Sequence, residues 1–240
     1  MERNVTLGIA RRALEAIWLP FSRAAGAPVA ALSRLRRSGG SNGESGQAGE
    51  RAKFDTERWT LDLLRHLEWR RFEELCAAYF EALGFTTRST PARAGGGADI
   101  SVCAQASESA SLIVHCKPWS AYRVGIKPVR ELLGAMASAG VGEGALVSSG
   151  RFTQEAMNFA ANENIKLIDG ADLLGKLAAL PPEQALALLK FATRGDFLTP
   201  TCPGCSIKMI SRRSTAEGRK YWGCPNYPQC KEILFGTAPG

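Results

Sequence analysis

The sequence predicts an α/β domain, with a mixed central sheet flanked by helices, followed by a small cysteine-rich module. Three observations predict it. Residues 72–83 repeat apolar side chains at a helical period, and residues 85–117 hold three short runs of strand character. Residues 145–168 read strand, helix, strand, and four of the seven cysteines fall in the last 39 residues.

Taken in order, residues 1–37 form a basic N-terminal helical segment. Its apolar stretches are broken by Arg11, Arg12, Arg23, Arg34, Arg36 and Arg37, so no run reaches the ~18–20 residues of a membrane span. It also lacks the uninterrupted apolar core and small-residue cleavage site of a signal peptide. The expectation is a cytoplasmic protein with no membrane partner; the segment itself reads as a solvated helix, or as a basic amphipathic pair lying on a surface. Residues 38–54 are a flexible linker, Gly/Ser-rich through position 50 and too poor in apolar side chains to offset the entropy of ordering.

The main domain is assigned to residues 55–195. Phe72, Leu75, Cys76, Tyr79, Phe80 and Leu83 make one apolar helix face, and Gly84 ends that helix. Strands are predicted over 85–90, 98–104 and 112–117, forming a meander. Beyond Pro128 the pattern is helical to Ala139, then strand 145–149, helix 153–162 and strand 165–168. That order implies a right-handed crossover onto a parallel pair. Residues 171–193 read as two helices broken at Pro181 and Pro182.

Composition fits this division. A chain of 240 residues with 45% hydrophobic and 22% charged side chains buries a real core and excludes a disordered or fibrous protein. Its formal charge of +7 favours a polyanionic partner, or simply solubility.

The module at 198–240 is read from its cysteines. Cys202 and Cys205 form C-x2-C, and after an 18-residue gap Cys224 and Cys230 form C-x5-C. Two thiolates from a tight turn and two from a facing hairpin close a tetrahedral shell, which is a zinc ribbon with a structural Zn²⁺. An odd cysteine count and the lack of a secretion signal argue against two disulfides. Cys-Pro-Gly-Cys at 202–205 with Tyr-Trp-Gly-Cys-Pro-Asn-Tyr-Pro-Gln-Cys at 221–230 resembles the C-terminal zinc ribbons of bacterial type IA topoisomerases. The resemblance implies nucleic-acid contact, often with single strands. Independently, Tyr221, Trp222, Tyr227 and Phe235 lie among Arg212, Arg213, Arg219, Lys220 and Lys231. That mix suits base stacking and phosphate contact, with Arg212, Arg213, Arg219, Lys220 and Trp222 as candidate nucleic-acid-binding residues; the aromatics packing around the metal site is the other reading.

The candidate active site lies earlier. Alternation along a strand puts Ile113, His115 and Lys117 on one face, with Asp99 on the neighbouring strand. Phosphodiester hydrolysis needs a cation to polarise the phosphate and a positive group to orient the nucleophile. Asp99 and Lys117 have those chemistries. On spacing alone, Asp99 is equally a turn residue, Lys117 a solvated strand end and His115 a structural histidine. Cys76, Cys103 and Cys116 are expected to be buried and inert.

Residues 59–175 resemble the Mrr-type restriction endonuclease domain, a member of the restriction-endonuclease-like PD-(D/E)xK nuclease fold. The matching stretches include Trp69-Arg-Arg-Phe72-Glu73-Glu74-Leu75, Gly97-Ala98-Asp99-Ile100, His115-Cys116-Lys117, Val129-Arg-Glu-Leu-Leu-Gly134 and Leu167-Ile-Asp-Gly170. The resemblance implies a Mg²⁺-dependent DNA endonuclease, often dimeric. It places the family's helix glutamate on Glu73, the metal-binding aspartate on Asp99 and the catalytic lysine on Lys117; a solvated helix charge is the other reading of Glu73. One position departs. His115 stands where the family carries Gln or Glu, and imidazole suits Mn²⁺ better than Mg²⁺. A DNA-binding protein that keeps the nuclease fold only as a platform is the alternative function.

Overall fold

The computed structural model describes residues 55–89, 99–103, 110–118, 123–214 and 218–235. The expected N-terminal segment 1–37 and linker 38–54 lie outside the described residues, as does Trp119.

The chain enters through α1 (Leu61–His66), whose Thr60 side chain caps the helix by accepting from Leu63 N at 3.0 Å. This element has no counterpart in the sequence reading. Six residues carry too few turns for a period to show, and its stability comes from burying Leu63 and Leu64. Next comes α2 (Trp69–Ala82), which buries the anticipated stripe of Phe72, Leu75, Cys76, Tyr79 and Phe80. Leu83 is its C-cap and Gly84 turns out of it at φ 92°, a backbone conformation that disfavours any side chain.

The sheet is built from β1 (Thr86–Ser89), β2 (Asp99–Cys103), β3 (Ala110–Lys117), β4 (Gly144–Ser148) and β5 (Ile165–Ile168), in that spatial order. The first three strands pair antiparallel as a meander, and β3, β4 and β5 pair parallel. Helix α3 (Ile126–Ala139) links β3 to β4, and α4 (Gln154–Ala161) links β4 to β5. The start of α3 falls two residues before Pro128. A proline in the first helical turn forfeits no intrahelical bond, because those N–H groups have no acceptor in any case.

Two apolar layers cover the sheet. Leu112, Val114 and Cys116 face α2 together with α5 (Gly170–Ala178) and α6 (Pro182–Ala192). Ile113 and Leu146 face α3 and α4 through Val129, Leu132, Met136, Ala156 and Ala160. The domain is therefore α/β with a mixed sheet and helices on both faces. Alternation along β3 divides one strand between the two layers.

After α6 the chain enters a three-stranded antiparallel sheet, β6 (Ile210–Arg213), β7 (Lys220–Gly223) and β8 (Ile233–Leu234). Its small core is Cys202, Met209, Trp222 and Cys224, with Cys205, Cys230 and Leu234 against it. Among the described residues, no helix is long and apolar enough to cross a membrane.

Candidate functional site

Strand register positions the first group. Asp99 of β2 lies directly opposite His115 of β3, and opposed positions of an antiparallel pair share one face of the sheet. Two residues on, at the carboxyl end of β3, Lys117 is paired in parallel register with Ser148, the last residue of β4. The carboxyl ends of parallel strands are where α/β sheets hold ligands.

His115 and Lys117 are not solvated strand termini. His115 and Lys117 are each 8% exposed, and Glu73 on α2 is 6% exposed. The Lys117 ammonium lies 3.8 Å from Glu131 Oε2 of α3, a residue whose helix-surface position gave no sequence signal. Glu73 approaches from the other layer, beside Cys116. Burial pushes the Cys116 thiol well above its usual range; its hydrogen bond with Cys76 and the Glu73 charge act in the same direction, and the Lys117 ammonium opposes them. Glu74 differs from its neighbour in being half-exposed and 3.5 Å from both Arg70 and Arg71. The structure thus sets Asp99 opposite His115 by register and brings Lys117 to Glu131, while Glu73 comes from the far side of β3. Cys76, Cys103 and Cys116 are buried as anticipated.

The loop after β4 is closely fitted. Gly150 N donates to Ser148 Oγ at 3.0 Å, and Gly170 N donates to Gly150 O at 3.1 Å. A Cβ on Gly170 would collide with the Ser149 carbonyl oxygen. That glycine begins α5, whose capping box joins Asp169 and Asp172.

The second group is the cysteine cluster. The ligand sulfurs of Cys202, Cys205, Cys224 and Cys230 all lie within 4.8 Å of one another. Cys202 and Cys230 are 3.6 Å apart, and Cys205 and Cys224 are 3.3 Å apart. Disulfide sulfurs sit near ~2.0 Å, whereas a tetrahedral ion with metal–sulfur bonds of about 2.3 Å separates its ligands by roughly 3.8 Å. The spacing fits a metal ion held by four thiolates.

The ribbon sheet has two unlike faces. Trp222 pairs with Leu234 and is 9% exposed, its ring within the small core. Arg212 is set opposite Tyr221 on the other face, and the Tyr221 and Phe235 rings lie 6.3 Å apart. Phe235 is 77% exposed, and Arg212, Arg213, Arg219 and Lys220 are exposed as well. Gly223 admits the Arg212 stem across the strand, since a Cβ there would meet Arg212 Cδ at 2.9 Å.

Residues 64–177 match the family model Mrr_cat, described as restriction endonuclease. This segment is restriction-endonuclease-like. A protein of Sinorhizobium fredii (strain NBRC 101917 / NGR234), described as uncharacterized protein y4cE, is 36% identical over 97 residues, which are 40% of this chain and 25% of that protein. The match therefore spans a quarter of the relative's length. Among solved structures, the DNA modification-dependent restriction endonuclease AspBHI gives a TM-score of 0.39 at 20% identity, covering 68% of this chain and 48% of that one. The MspJI restriction endonuclease in complex with a 27-mer oligonucleotide gives 0.38 at 16%, covering 57% and 33%. The family match alone carries the assignment. The endonuclease domain so defined contains Glu73, Asp99, His115, Lys117 and Glu131, and ends before the cysteine cluster.

Proposed function

We propose that the protein is a metal-dependent DNA endonuclease that hydrolyses phosphodiester bonds at the carboxyl end of β3, with DNA recruited by the C-terminal ribbon. The observation that carries this reading is the Asp99–His115 register with Lys117 buried two residues further along the same strand. Burying an ammonium there costs desolvation, and among the described residues its ion-pair partner is the half-exposed Glu131 carboxylate, 3.8 Å away. Such an arrangement suits a group kept ready for an anionic substrate better than one added for stability.

Asp99 and His115, which share one face of the sheet, would hold a divalent cation, while Glu73 bears on β3 from the α2 layer; when bound, the cation would supply Lewis acidity and lower the pKa of water. One imidazole in the donor set favours Mn²⁺ over Mg²⁺. Lys117 orients the attacking water and offsets the charge that develops on the phosphate, and Glu131 holds the Lys117 ammonium toward α3.

The four cysteines would carry a structural Zn²⁺, leaving no open position for chemistry. Exposed Arg212, Arg213, Arg219 and Lys220 supply phosphate contacts, and the outward Tyr221 and Phe235 rings supply stacking. Trp222, with its ring in the small core, supports the platform. The functional units in this reading are 55–195 for hydrolysis and 198–240 for recruitment.

The test is cleavage of plasmid and single-stranded DNA with Mg²⁺ or Mn²⁺, run beside Asp99→Ala and Lys117→Ala. Metal-dependent cutting that falls by about 10²–10³-fold in each variant supports the nuclease. No cutting on any substrate, with salt-sensitive binding retained, selects a non-catalytic DNA-binding platform.

A further inference from the structure

The endonuclease domain and the ribbon meet at one buried carboxylate. Glu68 caps the N-terminus of α2, and its side chain is only 3% exposed. Oε2 accepts from Arg70 N at 3.1 Å and from Thr201 N at 3.2 Å. Oε1 accepts from the Thr201 hydroxyl at 2.9 Å and from Lys208 Nζ at 3.1 Å. Three of these four donors belong to the ribbon's first turn. Thr201 and Lys208 also form an isolated antiparallel bridge with each other, so the carboxylate grips both ends of the loop that carries Cys202 and Cys205.

The surrounding bonds close the same joint. Trp69 Nε1 donates to Thr201 O at 2.7 Å, and Glu68 N donates to Phe197 O at 2.9 Å. Lys208 Nζ donates a second bond, to Thr199 O at 2.7 Å. Within the loop, Cys202 N donates to Ile207 O at 2.8 Å and Ser206 N to Cys202 O at 2.9 Å. A buried carboxylate is stable only while its acceptor sites are met, and here three of the four donors are in place only while the cysteine loop is closed. A metal ion on the four sulfurs would tie that loop to the facing hairpin and keep it closed.

We infer that Glu68 is a positioning residue that makes the metal cluster a structural part of the endonuclease domain: metal occupancy in the ribbon fixes the first turn of α2, the helix that carries Glu73. Opening the cysteine loop withdraws Thr201 N, Thr201 Oγ1 and Lys208 Nζ together. The carboxylate then keeps only Arg70 N, and the start of α2 loosens to hydrate it. The ribbon is accordingly a fixed arm that presents its exposed Arg212 and Phe235, with the half-buried Tyr221 beside them, at a set distance from Lys117.

Hydrogen exchange on the full-length chain tests this, comparing the zinc-loaded protein with the same protein after a thiol-reactive mercurial and a chelator have removed the metal. Peptides covering residues 67–75 are expected to exchange at least about tenfold faster after removal, and peptides covering β4 to stay unchanged. In a second measurement, Glu68→Gln is expected to release zinc to a chromogenic chelator about tenfold faster than the wild type, with Lys208→Met intermediate. Unchanged exchange in residues 67–75 of the wild type overturns the inference, and this arm needs no variant to fold. Unchanged zinc release from a folded Glu68→Gln protein also overturns it. Neither readout involves DNA cleavage, so failure here is distinct from failure of the nuclease reading.

Discussion

The endonuclease domain and the ribbon are held together by different forces. The former packs two apolar layers against its sheet, with Phe72, Phe80, Leu112, Leu132 and Leu146 among its fully buried side chains. Its stability follows from area removed from water. The ribbon's core is two cysteines, Met209 and Trp222, too little to offset the entropy of ordering its strands. A metal ion on the four cysteines would supply the difference. The contrast teaches that burial can position a reactive group anywhere along a sheet, whereas a metal-bound fold is rigid only near its ligands and must borrow orientation from a neighbour. Glu68 is where it does so.

The comparison can be broken most sharply by taking the metal away. Zinc binding contributes an apparent ~10–16 kcal/mol to small zinc-bound folds. Chelation should therefore abolish protection across 201–235 and shift Trp222 fluorescence, while circular dichroism from the helices persists. Loss of the whole helical signal would show that the two regions share one core. A smaller effect probes the other side. Leu132→Ala, which removes the side chain packed over Gly144, should cost about 2–5 kcal/mol in denaturant unfolding and leave zinc release unchanged. If release accelerates, the apolar layers reach further than the Glu68 joint.

The smallest expected effect sharpens the comparison through pH. Burial pushes the Tyr79 phenol up from 10.0 to about 12. Its folded value lies above its unfolded one, so this contribution is complete below about pH 10 and is lost as pH rises toward about 12. Ultraviolet titration of phenolate should show this tyrosine ionising last, together with unfolding of the α2 layer. A phenol titrating near 10 would place Tyr79 outside that layer.

Much of this was legible in the sequence because one-dimensional patterns record burial. The stripe from Phe72 to Phe80 needed only the helical period, and the meander followed from three short strand-like runs between turns. Cys202, Cys205, Cys224 and Cys230 were legible for another reason, since tetrahedral thiolate coordination constrains sequence spacing. The pairing of Asp99 with the strand carrying His115 was readable because alternation fixes which positions share a face.

Other features were not legible because they join residues far apart in the chain. Glu68 and Thr201 are separated by 133 positions, and nothing in either neighbourhood encodes a partner. Glu131 looks like any exposed helix charge until α3 lies over the end of β3. Trp222 looked equally suited to bases or to a core until its pairing with Leu234 turned it inward. The sequence by itself determined the α/β order, the four-cysteine spacing and the identities of the candidate site residues, because local period, turn chemistry and ligand geometry act over a few residues. Only the tertiary structure decided which charges are buried, which ring faces outward and how the ribbon is fastened, because desolvation and long-range hydrogen bonding depend on what the fold brings alongside.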